Sequence, residues 1–581
     1  MKITEDHLNP FVPNTLLDIA GGLLYRKLKK VSKDPRKASE KTLRQILTYA
    51  KDSVYGKEHH FEEILKAKDD VELYRLYREN VKPNEYEDLR PYVDRHKNGE
   101  ADILFPGKPV LYATTSGATS KPKWIPITQE YIDNIYSKMN KVWLYNFHRN
   151  CKHVWEGPIV SIVGKYIEGY APDGTMYGSV SGYTQAKCPS FVKKLYASPS
   201  DIFYIEDYTA RNYAIMRMGI ERNVHLCVTA NPSTMVEMQN NVNRYLDDYI
   251  DDIEHGTMSK KVNIPDKIRA AVQPYLKPNP DRANELRELR AKYGTVLPKH
   301  FWPELQLLTT WKCGNTKVYL EKLEGCYPEG MLHQEFGYFS SECRFGIVLD
   351  DSINTTLFPH YHYYEFVPEE DFGTDNPRFL QLHELEVGKR YCPYCTTFAG
   401  LYRYNMNDII EVSDYFVNTP RVHMVQKVNG IVTMTGEKLY EPQFIEAVRN
   451  AEKETGLKTK FFIGFADLSI SAYHFYYEFE NQETTVEQAN EFNKIVDDNL
   501  KKSNIEYQAE RDSFRLKDPI AHLLEENSFE KFKEATLKIT GADASRFKLN
   551  LLLQDEVRHE RMKQFEKKGA SINCLGEANS Q

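Results

Sequence analysis

The sequence predicts an α/β protein in two parts: a large layered N-terminal domain over 1–425, opened by a helical flank over about 1–100, and a smaller α+β domain over 426–581. Three observations predict it. Between about residues 103 and 425, short apolar segments of strand character alternate with helical ones, the pattern of a layered α/β fold. After Lys427 the pattern changes to two long strand-like runs followed by helices. Length agrees, since 581 residues exceed what one hydrophobic core usually organises.

The flank is helical because apolar residues recur at helical spacing among charges, as in Leu43 to Ala50 and Leu73 to Tyr77. From Ile103 to Ala113 the pattern shortens around Pro106, Gly107 and Pro109, which reads as strands leading into a loop. Further strands are expected at Ile159–Val163, Val224–Thr229, Val318–Leu320, Phe345–Leu349 and Tyr363–Val367, with helices at Ile132–Phe147 and Asp281–Tyr293. The charged stretches Asp247–Glu254 and Glu285–Lys292 read as solvated helix faces. In the C-terminal part, strands at Lys460–Ala466 and Ala472–Glu480 precede a helix from Thr485 to Leu500.

Composition bounds the function. A hydrophobic fraction of 41% with 28 Phe and 39 Tyr is ample for packed layers, and the formal charge of -7 offers no positive field for nucleic acid or an anionic membrane. An anionic ligand therefore needs a local device such as a loop of backbone N–H groups. The polar Met1–Pro10 segment does not read as a signal peptide, and no run of about 18 apolar residues exists to span a bilayer. Leu16–Leu24 reads as an amphipathic helix packed on the core. Nine cysteines, an odd number thinly spread, do not resemble a secreted disulfide framework; a reducing cytoplasm fits, and a monomer is expected. Cys392 and Cys395 have metal-ligand spacing but no second pair, so buried thiols are the expectation. His360 and His362 alternate as on one strand face, and partly buried, hydrogen-bonded rings are expected.

The loop is the strongest single feature. In Ala113-Thr114-Thr115-Ser116-Gly117-Ala118-Thr119-Ser120-Lys121-Pro122-Lys123, small side chains let backbone N–H groups converge on phosphate oxygens, hydroxyls add donors and a lysine adds charge. It is not a Walker loop, because the GxxxxGK[ST] spacing is missing. By composition alone a Ser/Thr-rich surface turn is an equal reading.

The order of residues resembles the TSGTTGxPK signature of adenylate-forming enzymes. With Trp124-Ile125-Pro126 following, the segment looks like the version carried by the Gretchen Hagen family of acyl acid amido synthetases. Four further segments resemble that family in the expected order: Gly337-Tyr338-Phe339-Ser340-Ser341-Glu342, Tyr363 to Pro368, Ala399 to Asp408, and Gly436-Glu437-Lys438-Leu439-Tyr440-Glu441. The resemblance runs from roughly residue 100 to 445 and thins beyond it. It departs from the pattern at Ser120 and Asn407, where glycine is usual, and in the tail after Gly569, which has no lysine before Pro-Arg. Asn tolerates left-handed geometry, so the turn at Asn407 is expected to survive.

The resemblance implies a fold of the adenylate-forming type with a mobile C-terminal domain, and ATP and Mg²⁺ as cofactors. It implies that Thr115, Ser116, Gly117, Thr119 and Lys123 hold phosphates, and that Tyr338, Ser340, Ser341 and Tyr404 line the nucleotide site. Glu342 then positions Mg²⁺, Asp408 grips ribose hydroxyls, and Lys438 reaches the α-phosphate from beyond a hinge near Lys427. Lys438, Lys123 and Glu342 are the implied catalytic groups. The implied reaction activates a carboxylic acid as an acyl-adenylate with release of pyrophosphate, and then passes the acyl group to an amine, an amino acid being expected, with release of AMP. An acyl-CoA ligase using the same adenylate, or a degenerate nucleotide-binding or interaction protein, are the alternatives. The acyl pocket is expected between the helices after Thr128 and the strands before Trp311.

Overall fold

The structure is a computed structural model that describes residues 11–115, 122–313, 316–428, 430–528, 531–532, 535 and 550–567. Two compact units are present: 1–114 with 123–426, and 115–122 with 427–581.

The first unit opens with helices, as expected. Pro35–Ala50 is representative: Asp34 caps it by accepting from the Lys37 N–H at 3.0 Å, and Ala38, Thr42, Leu43, Ile46, Leu47 and Ala50 form one buried stripe. Three sheets follow. A parallel sheet has the strand order 159–161, 226–228, 307–310, 332–335, the arrangement expected when helices cover both faces. A largely antiparallel sheet is built from the strands between Gly346 and Lys427. A smaller sheet orders 123–127, 111–115, 176–177 and 169–170, so that the strands flanking the Thr114–Lys123 loop are neighbours in it.

The second unit has its own core. Strand Ala472–Phe479 is buried along its whole length, flanked by Thr459–Asp467 and Ile520–Leu523, and helices Glu441–Thr455 and Val486–Ser503 contribute Phe444, Val448, Phe492 and Val496 to the same cluster.

Several local expectations fail for identifiable reasons. Val318–Leu320 lies inside the helix Lys317–Leu323, because three apolar residues are too few to distinguish the two periods. Ile103, Leu104 and Phe105 are buried but not in a strand; only Leu111–Thr115 is extended. Asp252 is buried among its acidic neighbours, where it accepts from Tyr213 Oη at 2.5 Å and from the Ser259 N–H at 2.6 Å. His360 and His362 precede the strand Tyr363–Pro368 rather than lying on it, and burial pushes each imidazole down to about 3, so both are neutral. Cys392 and Cys395 are buried on the strand Arg390–Thr396. Among the described residues no group of three potential metal ligands occurs, and no helix is long and apolar enough to cross a membrane.

One glycine of the Ala399–Asp408 segment is required by geometry. Gly400 has φ +83°, and a Cβ there would stand 2.7 Å from Leu104 Cβ. Gly400→Ala should therefore lower stability by about 1–3 kcal/mol, read as a reduced urea midpoint at unchanged slope.

Candidate active site

Ser116, Gly117 and Thr119 lie outside the described residues, as do Ser120 and the tail after Lys567. Both ends of the loop are described. Lys123 opens the strand Lys123–Ile127; it is buried, and its ammonium donates to Tyr404 Oη at 3.2 Å. Tyr404 is held in turn by the short strand Tyr404–Asn405 paired with Arg390–Thr396.

Tyr338 and Asp408 meet directly. The Tyr338 hydroxyl donates to Asp408 Oδ2, and its ring stacks on Phe345 with centroids 4.5 Å apart. Burial, with the Asp408 charge, raises the phenol well above its ordinary value, so it stays a donor. Asp408 sits at the start of the strand Asp408–Phe416, immediately after Asn407 at φ 54°. The asparagine therefore occupies the left-handed position anticipated for it, fixed by its N–H to Asn405 Oδ1 at 3.0 Å and its side chain to Glu85 at 2.9 Å.

Ser340 closes a tight turn over Glu342. Its hydroxyl accepts from the Cys343 N–H at 3.2 Å and donates to the Cys343 carbonyl at 3.3 Å. Glu342 is buried at the tip of this turn. Glu335, which sequence patterning did not single out, anchors the same segment by accepting from the Gly337 N–H at 2.9 Å and from the Lys312 N–H. Burial raises its carboxyl above the usual range.

A cavity of about 160 Å³ adjoins that turn. Tyr131, Tyr136, Phe339 and Ser340 form one side, and Thr114 and Glu168 another. Tyr131 and Tyr136 come from the helical segment after Thr128, where they delimit a π-helical turn. Ser179 to Ser181 complete the lining, and the strands leading to Trp311 contribute nothing to it. Thr114 Oγ1 lies 3.4 Å from Glu168 Oε2, and burial raises that carboxyl.

The second unit holds Lys438. Its ammonium donates to Thr115 Oγ1 at 3.3 Å and stands 3.7 Å from Glu506 Oε1, while its backbone N–H donates to Glu506 Oε2 at 3.1 Å. Glu506 falls in the first turn of the helix Ile505–Asp512, whose N-cap, Asn504, also donates to the Lys438 carbonyl at 2.8 Å. The neighbouring Glu437 is fully buried and accepts from Tyr473 Oη at 2.7 Å and the Thr435 N–H at 2.8 Å. Within Gly436-Glu437-Lys438 the glutamate thus anchors the turn and the lysine projects from it. Glu506 has no local sequence signal, since it lies 68 positions from Lys438.

Ser340, Ser341 and Glu342 are consecutive oxygen-bearing side chains, the donor type that suits a hard cation, and buried Lys123 belongs to the same unit. Solved structures place this fold. An acyl acid amido synthetase in complex with 2,4-DB aligns at a TM-score of 0.63 and 20% identity, covering 94% of this chain and 96% of that one. A 2-hydroxyisobutyryl-CoA ligase bound to its acyl-AMP and CoA aligns at 0.52 and 12% identity, covering 91% and 92%. The chain shares its fold with these two ligases. Family models sharpen this: the GH3 family N-terminal domain matches 24–331, the central domain 355–427 and the C-terminal domain 442–557. The chain belongs to the GH3, or Gretchen Hagen, family.

Characterised relatives are distant. A 4-substituted benzoates-glutamate ligase of Arabidopsis thaliana is 25% identical over 79% of this chain and 81% of its own length. An indole-3-acetic acid-amido synthetase of the same organism is 24% identical over 74% and 77%. A jasmonoyl-L-amino acid synthetase of Oryza sativa subsp. japonica is 25% identical over 63% and 67%.

Proposed function

We propose that this protein is an acyl acid amido synthetase that activates a carboxylic acid with ATP and passes the acyl group to an amino acid. The observation that carries the reading is the first unit's own arrangement: Tyr338, which donates to Asp408, and the Ser340–Glu342 turn belong to one short segment, and Phe339 to Ser341 of that segment line a partly aromatic cavity. The relatives named above act on different acids, so the acid is not transferred from any of them.

In this reading the acid occupies the cavity and its carboxylate attacks the α-phosphate of the ATP substrate, breaking the α–β phosphoanhydride bond and releasing pyrophosphate. Phosphoryl chemistry of this kind asks mainly for positioning and neutralisation of charge. Lys123 and the hydroxyls of Thr115, Ser116 and Thr119, with the Gly117 backbone, bind phosphates; Asp408 accepts from ribose hydroxyls, and Tyr338 holds that carboxylate in orientation. Lys438 stabilises charge at the α-phosphate. Mg²⁺, held by Glu342 with the neighbouring hydroxyls, supplies further charge neutralisation. The amine then attacks the mixed anhydride and AMP leaves. A domain boundary near residue 425 and these site assignments belong to the same reading.

Pyrophosphate release with a panel of acids tests it; ATP binding without acid-dependent release would overturn it. Trapping with hydroxylamine, followed by amino acid or coenzyme A addition, identifies the acceptor, with an amide as the expected product. Asp408→Ala should raise KM for ATP roughly 10- to 100-fold, the worth of a charge-assisted hydrogen bond, with a much smaller effect on KM for the acid.

A further inference from the structure

Glu168 is the one carboxylate among the described residues that line the 160 Å³ cavity, and apart from the phenols of Tyr131 and Tyr136 that lining holds no other ionisable side chain. The small sheet fixes its place. Glu168 immediately precedes the strand Gly169–Tyr170, and its N–H donates to the Tyr177 carbonyl at 2.8 Å; Tyr177 in turn pairs with Tyr112 on the strand Leu111–Thr115. The carboxylate thereby stands beside Thr114, with Oε2 3.4 Å from the hydroxyl, where the chain enters the phosphate loop.

That position bears on the second half of the proposed reaction. With the acid in the cavity and its carboxyl joined to the α-phosphate, the reacting carbon lies at the cavity end nearest the loop, which is the end that Glu168 occupies. An amino acid arrives there as an ammonium ion, which has no lone pair with which to attack. Glu168 is equipped to free one. The residue is exposed, so a second substrate can reach it. Two cations act on it from a distance and are engaged elsewhere: Lys165 stands 3.6 Å from Glu206, and Arg211 lies over the Tyr208 ring at 4.0 Å. Protein packed around the carboxyl raises it above the usual range against both charges, which makes it a better base near neutrality. Adenylation also removes the charge of the acid, so Glu168 faces a neutral acyl group when the ammonium arrives.

We infer that Glu168 is the general base of acyl transfer, taking a proton from the ammonium of the incoming amino acid. The freed lone pair forms the C–N bond to the acyl carbon as the bond from that carbon to the phosphate oxygen breaks. The remaining excess proton on nitrogen passes to the departing AMP. This assignment rests on the synthetase reading and on the cavity being the acyl site.

The test lets two nucleophiles compete for one adenylate. Full-length protein receives ATP, Mg²⁺, the acid of the panel that releases most pyrophosphate, a mixture of the twenty amino acids, and hydroxylamine. Hydroxylamine is largely unprotonated at neutral pH and needs no base to free its lone pair. The ratio of amide to hydroxamate therefore reports acyl transfer alone, whatever a substitution does to adenylation. In Glu168→Gln that ratio should fall roughly 100-fold at neutral pH, the usual worth of a positioned base. Amide formation by the wild type should level off once the carboxyl is ionised, whereas in the variant it should keep rising until the amine itself is deprotonated. An unchanged ratio, including an equal loss of both products, overturns the assignment, because a merely structural role affects both nucleophiles alike. A wild type that makes hydroxamate but no amide overturns it too. Absence of acid-dependent pyrophosphate release from the wild type would instead overturn the synthetase reading, and this assignment with it.

Discussion

Lys438→Ala should lower kcat for acid-dependent pyrophosphate release by about 10²- to 10³-fold, the usual cost of removing a preorganised group that stabilises developing charge. Its effect on stability should be small. The lysine side chain is one-fifth exposed, and its partner Glu506 is similarly accessible, so their ion pair is worth little to the fold. The two roles within one short motif make the test sharp. Glu437 is buried with four hydrogen bonds donated to its carboxylate, and Glu437→Ala would be expected to unfold the turn, whereas Lys438→Ala leaves that anchor in place. Circular-dichroism melting and single-turnover pyrophosphate release, measured on the same preparation, separate the two. A lysine that merely decorates a surface turn would leave kcat within a factor of two.

The largest effect on stability is expected at Glu365. This residue lies at the centre of the strand Tyr363–Pro368, is 1% exposed, and receives Arg403 Nε at 2.7 Å on one oxygen and Arg78 Nε at 2.9 Å on the other. Arg403 is itself buried at φ 44° and donates a further bond to the Val81 carbonyl at 2.8 Å. Glu365→Ala strands that guanidinium without its counter-charge, which typically costs about 3–5 kcal/mol. Chemical denaturation should show the loss directly, and the surviving folded fraction should retain its KM for ATP. A change in KM with stability intact would mean that the pair serves the nucleotide site instead.

This pair shows how motif and role can part. Tyr363–Pro368 and Ala399–Asp408 were legible as segments because their residue order is unusual, and the resemblance they carry is what placed Asp408 and Tyr404. Yet Glu365 and Arg403, one from each segment, are joined to each other and to Arg78 on the flanking helix Asp70–Asn80. Nothing in local spacing announces a contact across 38 positions, so part of what looks like site signature is scaffold. Short apolar runs are ambiguous for a related reason. Val318–Leu320 has the composition of a strand, and only its neighbours in space make it helical.

What the sequence by itself determined is the order of residue types along the chain: a Ser/Thr-rich loop closed by Lys123, then Tyr338 to Glu342, Asp408 and Lys438, within an α/β chain of the GH3 family. These are legible because close backbone approach, hydroxyl donors and fixed turns demand particular residue types at short spacing. Only the tertiary structure decided that Tyr338 holds Asp408, that Glu506 and Thr115 engage Lys438, and that Arg344 packs against the rings of Tyr136, Trp143 and Phe339. Those are matters of burial and long-range pairing, set by packing between segments far apart in the chain, where desolvation rather than local propensity determines what a charge can do.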